Sequence, residues 1–333
     1  MEKSKVYFTS MKVNAGTNLL KKLNHLVREA GIANIDFENK YTAIKIHFGE
    51  PGNLAYLRPN YAKVIVDLVK ELGGKPFLTD CNTLYVGRRK NALDHLDSAY
   101  ENGYNPFATG CHVIIADGLK GTDEALVPVN GEYVKEAKIG RAVMDADIVI
   151  SLTHFKGHTM GGFGGSNKNL GIGCADGRIG KGEIHTVPGS DNLWSIAEEE
   201  LMERMTESTK ATIDFFGDNI VYVNVMRNMS VSCDCEGTGA MPVVTPNVGI
   251  LASTDICAID VACVDLVYAM TEAELCDNRD LVERIETRHD LRQLSYMHEL
   301  GMGNWKYRLL DLDNGEAEIT QAEAVAHVTP FEG

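Results

Sequence analysis

A chain of 333 residues with 47 acidic against 32 basic side chains carries a formal net charge of −15, and 44% of it is hydrophobic. That balance is the one expected of a globular protein with a sizeable core. It opposes non-specific binding to nucleic acid or to an anionic membrane, so neither is expected as a partner, and it leaves room only for a local basic pocket that takes a small anionic molecule. No apolar run reaches the roughly 18 residues needed to span a membrane, and the opening "MEKSKVYFTSMKVN" has no signal-peptide core. The expected location is cytoplasmic.

Taken in chain order, the first half alternates strands and helices. Residues 5–10 ("KVYFTS") read as a strand, and "NLLKKLNHLVREAG" as an amphipathic helix that stops at Gly31. Strands follow at 41–48, 75–80, 111–117 and 145–154, separated by a helix with Pro59 near its start and by another over 91–102. In the second half, 193–217 reads as a long helix, 219–226 and 247–254 as strands, and the segment around "DICAIDVACVDLVYAM" as a helix. The stretch 283–300 reads as helical, with "YRLLDL" and "EAEIT" as final strands. Strands apolar on both faces and separated by helices predict an α/β fold, a largely parallel sheet with helices on both faces. The expected organisation is a single α/β unit, 1–333, with two lobes, 1–145 and 146–333, around a crevice.

In such sheets ligands bind beyond the carboxyl ends of the strands. The loops at 79–89, 116–124, 153–174 and 226–237 each leave a predicted strand there. The richest is "THFKGHTMGGFGGSNKNLGIGC", with seven glycines, two histidines, two lysines and a cysteine. Gly162, Gly164 and Gly165, with Gly161, let backbone N–H groups approach an anion as a nest, and Lys156 and Lys168 neutralise it. Asn167 stands where GxGxxG requires glycine, and Lys168 is not in a Gly-Lys-Ser/Thr ending, so both nucleotide motifs fail.

His154 and His158 are four apart in a stretch too glycine-rich for a helix, and His185 lies in the Gly/Pro-containing "GKGEIHTVPG"; all three are candidate acid–base residues. Cys233-Asp234-Cys235 places two thiols one residue apart, with Cys174 and Cys81, both in candidate site loops, available as further soft ligands; the metal candidates are Cys233, Cys235, Cys174 and His185. Asp80, Asn82 and Arg88 in "TDCNTLYVGRR" are candidate ligand contacts, whereas Arg89 and Lys90 read as a solvated helix start. Asp260, inside an apolar helix, needs a partner. Cys257, Cys263 and Cys276 read as core.

Five stretches between about residues 75 and 267 ("FLTDCNTLYVGRRKNALDHLDSAYENGY", "VIIADGLKGTD", "DADIVISLTHFKGHTMGGFGGSNKNLGIGCA", "SCDCEG" and "VGILASTDICAIDVACVDLV") together resemble the domain of unknown function 362 family of bacterial and archaeal proteins. Many members are labelled iron–sulfur-centre proteins and carry a ferredoxin module after the segment matching "GKGEIH". Here "TVPGSDNLWSIAEE" holds that place, so a cluster would have to use the scattered cysteines. One loop is also similar to that of the nickel-pincer lactate racemases: His158, then Gly162-Phe163-Gly164-Gly165, then Lys168. That resemblance implies a lysine holding a nickel cofactor, a histidine in proton or hydride transfer, and His185 near the position of a nickel ligand.

Two classes stay open. One is a racemase-, isomerase- or oxidoreductase-like enzyme with an anionic cofactor or substrate at residues 153–174. The other is a metal-binding electron-transfer or scaffold protein using Cys233, Cys235 and Cys174. The cofactor candidates are nickel, iron or zinc, or an iron–sulfur cluster. A redox partner or a second copy of the chain remains open as a macromolecular partner.

Overall fold

The computed structural model describes residues 3–272, 277–289 and 291–328; Cys276 lies outside them. A nine-stranded sheet forms the centre, in the order β13-β12-β1-β11-β10-β7-β2-β3-β4. Its strands are β1 (Ser4–Ser10), β2 (Tyr41–Lys45), β3 (Lys75–Asp80), β4 (Val113–Ile115), β7 (Ile148–His154), β10 (Ile220–Met226), β11 (Gly249–Ser253), β12 (Tyr307–Asp311) and β13 (Ala317–Ile319). Two ribbons stand outside it, β5 (Glu124–Pro128) with β6 (Glu136–Gly140), and β8 (Lys156–His158) with β9 (Gly162–Gly164). Only β11 and β13 run against the other strands of the sheet, so the predicted α/β class with a largely parallel sheet is what forms. The sheet interleaves strands from both sides of residue 145.

Alternation along the strands builds two cores. In β2, Ala43 faces one side and Ile44 the other; in β7, Val149 opposes Ile148 and Ile150; in β10, Tyr222 opposes Val221 and Val223. One face packs under the helices Leu19–Glu29 and Pro59–Glu71, through Leu23, Leu26, Ile65 and Val69. The other packs under Glu198–Phe216 and Ile256–Glu272, through Ala211, Phe216, Ala258 and Ala262. This two-sided cover is why the strands read as continuous apolar runs.

The winding sets the place of the crevice. From β2 the chain moves outward to β3 and β4; from β7 it moves the other way to β10. The strand order therefore reverses between β2 and β7, and their carboxyl ends diverge there into a topological switch point. Lys45 ends β2 and His154 ends β7.

Element boundaries differ from the sequence reading: β2 ends at Lys45 instead of 48, β4 covers only Val113–Ile115 of the stretch 111–117, and three differences are larger. The long helix begins at Glu198, where three glutamates occupy its first turn; residues 193–197 lie outside it. The stretch 283–300 is two helices, Arg279–Thr287 and Leu291–Glu299, parted at His289, whose φ of 53° is left-handed. The glycine-rich stretch is the β8–β9 hairpin followed by a short helix, Ser166–Gly171. Its glycines chiefly allow close backbone approach. The Gly157 N–H donates to the Ser230 carbonyl at 2.8 Å, and a Cβ on Gly157 would lie 2.2 Å from the Val231 carbonyl oxygen. Gly157→Ala should therefore cost about 2 kcal/mol by overpacking, read as a lower urea midpoint at unchanged slope. An unaltered midpoint would show that the hairpin does not rest on residues 230–231.

Candidate functional site

A cavity of about 380 Å³ opens at the switch point. Its wall draws Lys45 from β2, Asp80 from β3, Thr153 from β7, Lys156 and His158 from β8, Gly164 from β9 and Lys168 from the helix after β9. Loops add His47, Arg89 and Cys235, and the short helix Gly180–His185 adds Lys181 and His185. The loops after β3, β7 and β10 do converge here; the 116–124 loop stays behind the wall, where Asp117 braces Asn82 and Gly177.

Five cationic side chains are buried in this wall: Lys45, Lys156, Lys168, Lys181 and Arg89. Three are matched by buried carboxylates. Asp80 sits 3.1 Å from Lys45 Nζ and 3.3 Å from Arg89, and Arg89 also donates to Glu50 at 2.8 Å. Asp234 lies 3.2 Å from Lys156. Burial alone would raise both aspartates, but the cations beside them outweigh it and hold Asp80 and Asp234 below the usual carboxylate range. Lys168 Nζ instead donates to Cys233 Sγ at 3.8 Å, and Lys181 Nζ to the Ala175 carbonyl at 2.7 Å.

The three cavity histidines are not equivalent. His185 gives Nδ1–H to the Lys181 carbonyl at 2.8 Å, which leaves a lone pair on Nε2. His158 Nδ1 accepts the Gly161 N–H at 3.0 Å, so its neutral ring carries hydrogen on Nε2. His47 Nδ1 accepts from Gly49 N–H at 3.0 Å and has the same tautomer. Burial and then the nearby cations lower all three; His185 is pushed down to about 4. The rings are neutral at pH 7.

The carboxyl loop of β10 closes the site. Donor atoms of His158, Cys233 and Cys235 lie within 4.8 Å of one another. A hydrogen bond from the Cys235 thiol, and then the Lys168 and Lys156 ammonium groups, hold the Cys233 thiol below its ordinary value, while Cys235 is pushed up.

The family model described as Domain of unknown function (DUF362) matches residues 42–265, a span that contains the whole cavity wall. The chain belongs to the DUF362 family. The DUF362 chain is also similar to a thylakoid-associated protein of Synechocystis sp., 25% identical over 279 residues, covering 82% of this chain and 77% of that one. Among solved structures it is similar to the lactate racemase apoprotein from Thermoanaerobacterium thermosaccharolyticum, with a TM-score of 0.44 and 11% identity over 98% of this chain and 87% of that one. A Thermotoga maritima protein gives a TM-score of 0.38 and 13% identity over 62% of this chain and 49% of that one. Among the described residues, no helix is long and apolar enough to cross a membrane.

Several residues singled out from the DUF362 sequence stand away from the cavity. His154 has both nitrogens engaged, Nδ1 with Asp234 at 2.9 Å and Nε2 with the Arg227 carbonyl at 2.7 Å; it clamps the β10 loop to the end of β7. Asn82 holds Asp117 and the Gly118 carbonyl. Arg88 points outward to Glu101, and Arg89, expected to be solvated, is 2% exposed in the wall. Cys174 packs at Cys81, whose Sγ donates to its carbonyl at 3.3 Å, and takes no part in the group of His158, Cys233 and Cys235. Gly162 supports the hairpin outside the cavity wall, with φ of 71°.

The helix start that follows the nest glycines is occupied from within. Asp260 accepts the Ser166 and Asn167 N–H groups at 2.8 and 2.9 Å and the Asn224 amide at 2.8 Å, so the helix start that Gly165 and Asn167 form holds an internal carboxylate. Burial still pushes Asp260 up to about 6. Wall residues that the sequence reading did not select include Lys45, His47, Tyr85, Arg89, Lys181 and Trp194. Lys45 and His47 had one signal: polar residues closing an otherwise apolar strand at its carboxyl end.

The buried histidines tie stability to pH. His95, which has no hydrogen-bond partner among the described residues, is pushed down to about 3, chiefly by burial. An unfolded histidine binds its proton near pH 6.5, so the unfolded chain gains protons first and stability falls as pH drops from 6.5 toward these folded values. Between pH 7 and 5 each such ring should cost about 2 kcal/mol. Thermal melts across that range should show a shallower decline in His95→Leu than in the parent chain; parallel curves would refute a neutral buried His95.

Proposed function

We propose that this DUF362 protein is an enzyme that moves a proton on a small anionic molecule held in the cavity, next to its carbonyl or carboxylate group, in the manner of a racemase or isomerase. One observation carries the reading: two neutral imidazoles of opposite tautomer line the same cavity beside buried cations. His185 Nε2, with its lone pair, is the base, and His158 Nε2–H is the acid. Lys168 and Lys181 bind the acidic group and favour the negative charge that develops when a neighbouring C–H is broken. His47, through Nε2–H, is a further donor to the bound anion. Burial excludes water from the transfer.

The test needs no prior substrate. A panel of 2-hydroxy, 2-oxo and 2-amino acids is incubated with protein in D₂O, and loss of the C–H signal beside the carboxyl group is followed by proton NMR. At least one class should exchange. His185→Asn and His158→Asn should each slow it by about 10²-fold or more, and Lys168→Met should weaken substrate binding. Exchange that survives both histidine substitutions would sink the assignment.

A second reading rests on the close approach of His158, Cys233 and Cys235, a largely soft donor set one ligand short of a tetrahedral site. The two thiols suit nickel, iron or zinc. His158 suits it poorly, because ligation through Nε2 would leave both ring nitrogens without hydrogen while Nδ1 still accepts from Gly161. The four thiolates of an iron–sulfur cluster are not brought together among the described residues. Under this reading, Co(II) added anaerobically gives a thiolate charge-transfer band that Cys233→Ser removes. A colourless titration would eliminate it.

A further inference from the structure

The cavity wall carries two chemically different sets of side chains. One is the five buried cations, of which Lys45, Lys156 and Arg89 are matched by Asp80, Asp234 and Glu50. Among the described residues, Lys168 and Lys181 have no carboxylate within 4.0 Å. Each ammonium has three N–H donors, and each has one protein acceptor in reach, Cys233 Sγ and the Ala175 carbonyl respectively. Both line the cavity with His185, and Lys181 lies one turn before it on the same short helix. Two buried ammonium groups with spare donors around a neutral ring are a place for one acidic group.

The other set is apolar and aromatic: Leu84, Tyr85, Met160, Ile172 and Trp194. Trp194 is 41% exposed and stands nearly perpendicular to His185, with ring centroids 5.2 Å apart at 85°. A tryptophan that lines a cavity and still meets solvent offers apolar surface to an occupant. The cavity volume, about 380 Å³, equals that of about a dozen waters at ~30 Å³ each. A bare acetate or phosphate would leave most of it wet. An acid carried on a ring would match the cations without a carboxylate and cover apolar wall together.

We infer that the occupant is a ring-bearing anion, a carboxylate or phosphate on a planar ring, with its acidic group between Lys168 and Lys181 and its ring beneath Trp194. The inference rests on the cavity being the active site proposed above and names the class of molecule that site takes.

The test uses four probes, acetate, inorganic phosphate, benzoate and phenyl phosphate, titrated calorimetrically and by tryptophan emission into the full chain carrying Trp305→Phe, so that Trp194 alone reports. Benzoate should bind at least about tenfold tighter than acetate, or phenyl phosphate than phosphate, with quenching of Trp194. Which pair shows the larger affinity identifies the acidic group. Trp194→Ala should reduce the ring preference to within roughly threefold, and Lys168→Met and Lys181→Met should weaken ring-bearing and simple anions alike; circular dichroism melts check that each variant is folded. Equal affinities for ring-bearing and simple anions, or a ring preference that survives Trp194→Ala, would overturn the inference and leave the proton-transfer reading in place if deuterium exchange is still seen. Absence of binding by all four probes overturns it too, and absence of exchange as well removes the underlying reading.

Discussion

Burying like charges around one cavity is the constraint on which the rest of this structure depends. Five cations share a wall, and each would be expelled or neutralised if left unmatched in a low-dielectric interior. Asp80 answers Lys45 and Arg89 together, and Asp234 answers Lys156 while holding His154. Asp80 ends β3 and Asp234 lies in the loop after β10, on opposite sides of the switch point, and each balances the cations of its own side. Lys168, which meets the Cys233 sulfur, and Lys181, which meets the Ala175 carbonyl, have no carboxylate partner among the described residues and keep donors to spare for a ligand.

The topology explains why these groups meet. Strand order reverses between β2 and β7, and helices from the two windings cover opposite faces, so the strand ends there are left uncovered. Lys45 and the β8–β9 hairpin rise from those ends. The chain places a cluster of buried cationic side chains at a position in a doubly covered sheet that packing does not fill.

Much of the frame was legible in the sequence, because apolar runs at 41–48, 75–80, 145–154, 219–226 and 247–254 are long and bounded by turns. The region of the site was legible too: 153–174 supplies Lys156, His158, Gly164, Gly165 and Lys168 to the wall. Which neighbour turns inward was not. Arg88 and Arg89 are adjacent in a turn and point to opposite environments, a matter of local backbone direction that composition does not encode. His154 and His158 are equally plausible ligands by spacing, yet Asp234 claims the first through a contact 80 positions away. Lys181 and His185 are one helical turn apart, but glycines at 180 and 182 disguise the helix. Asp260 was recognised as needing a partner, and the partner proved to be the glycine stretch itself.

That last contact has a consequence for how the pocket meets its ligand. A glycine-rich segment is normally the most entropically costly part of a chain to hold still. Here the Asp260 carboxylate, projecting from a helix in the core, pins the start of the helix that carries Lys168, and the hairpin before it is bonded to residue 230. The ordering that a mobile phosphate-type loop would undergo when its anion arrives has already been done during folding. The ligand meets a formed socket, so its recognition is governed by fit and charge and not by the closing of a loop.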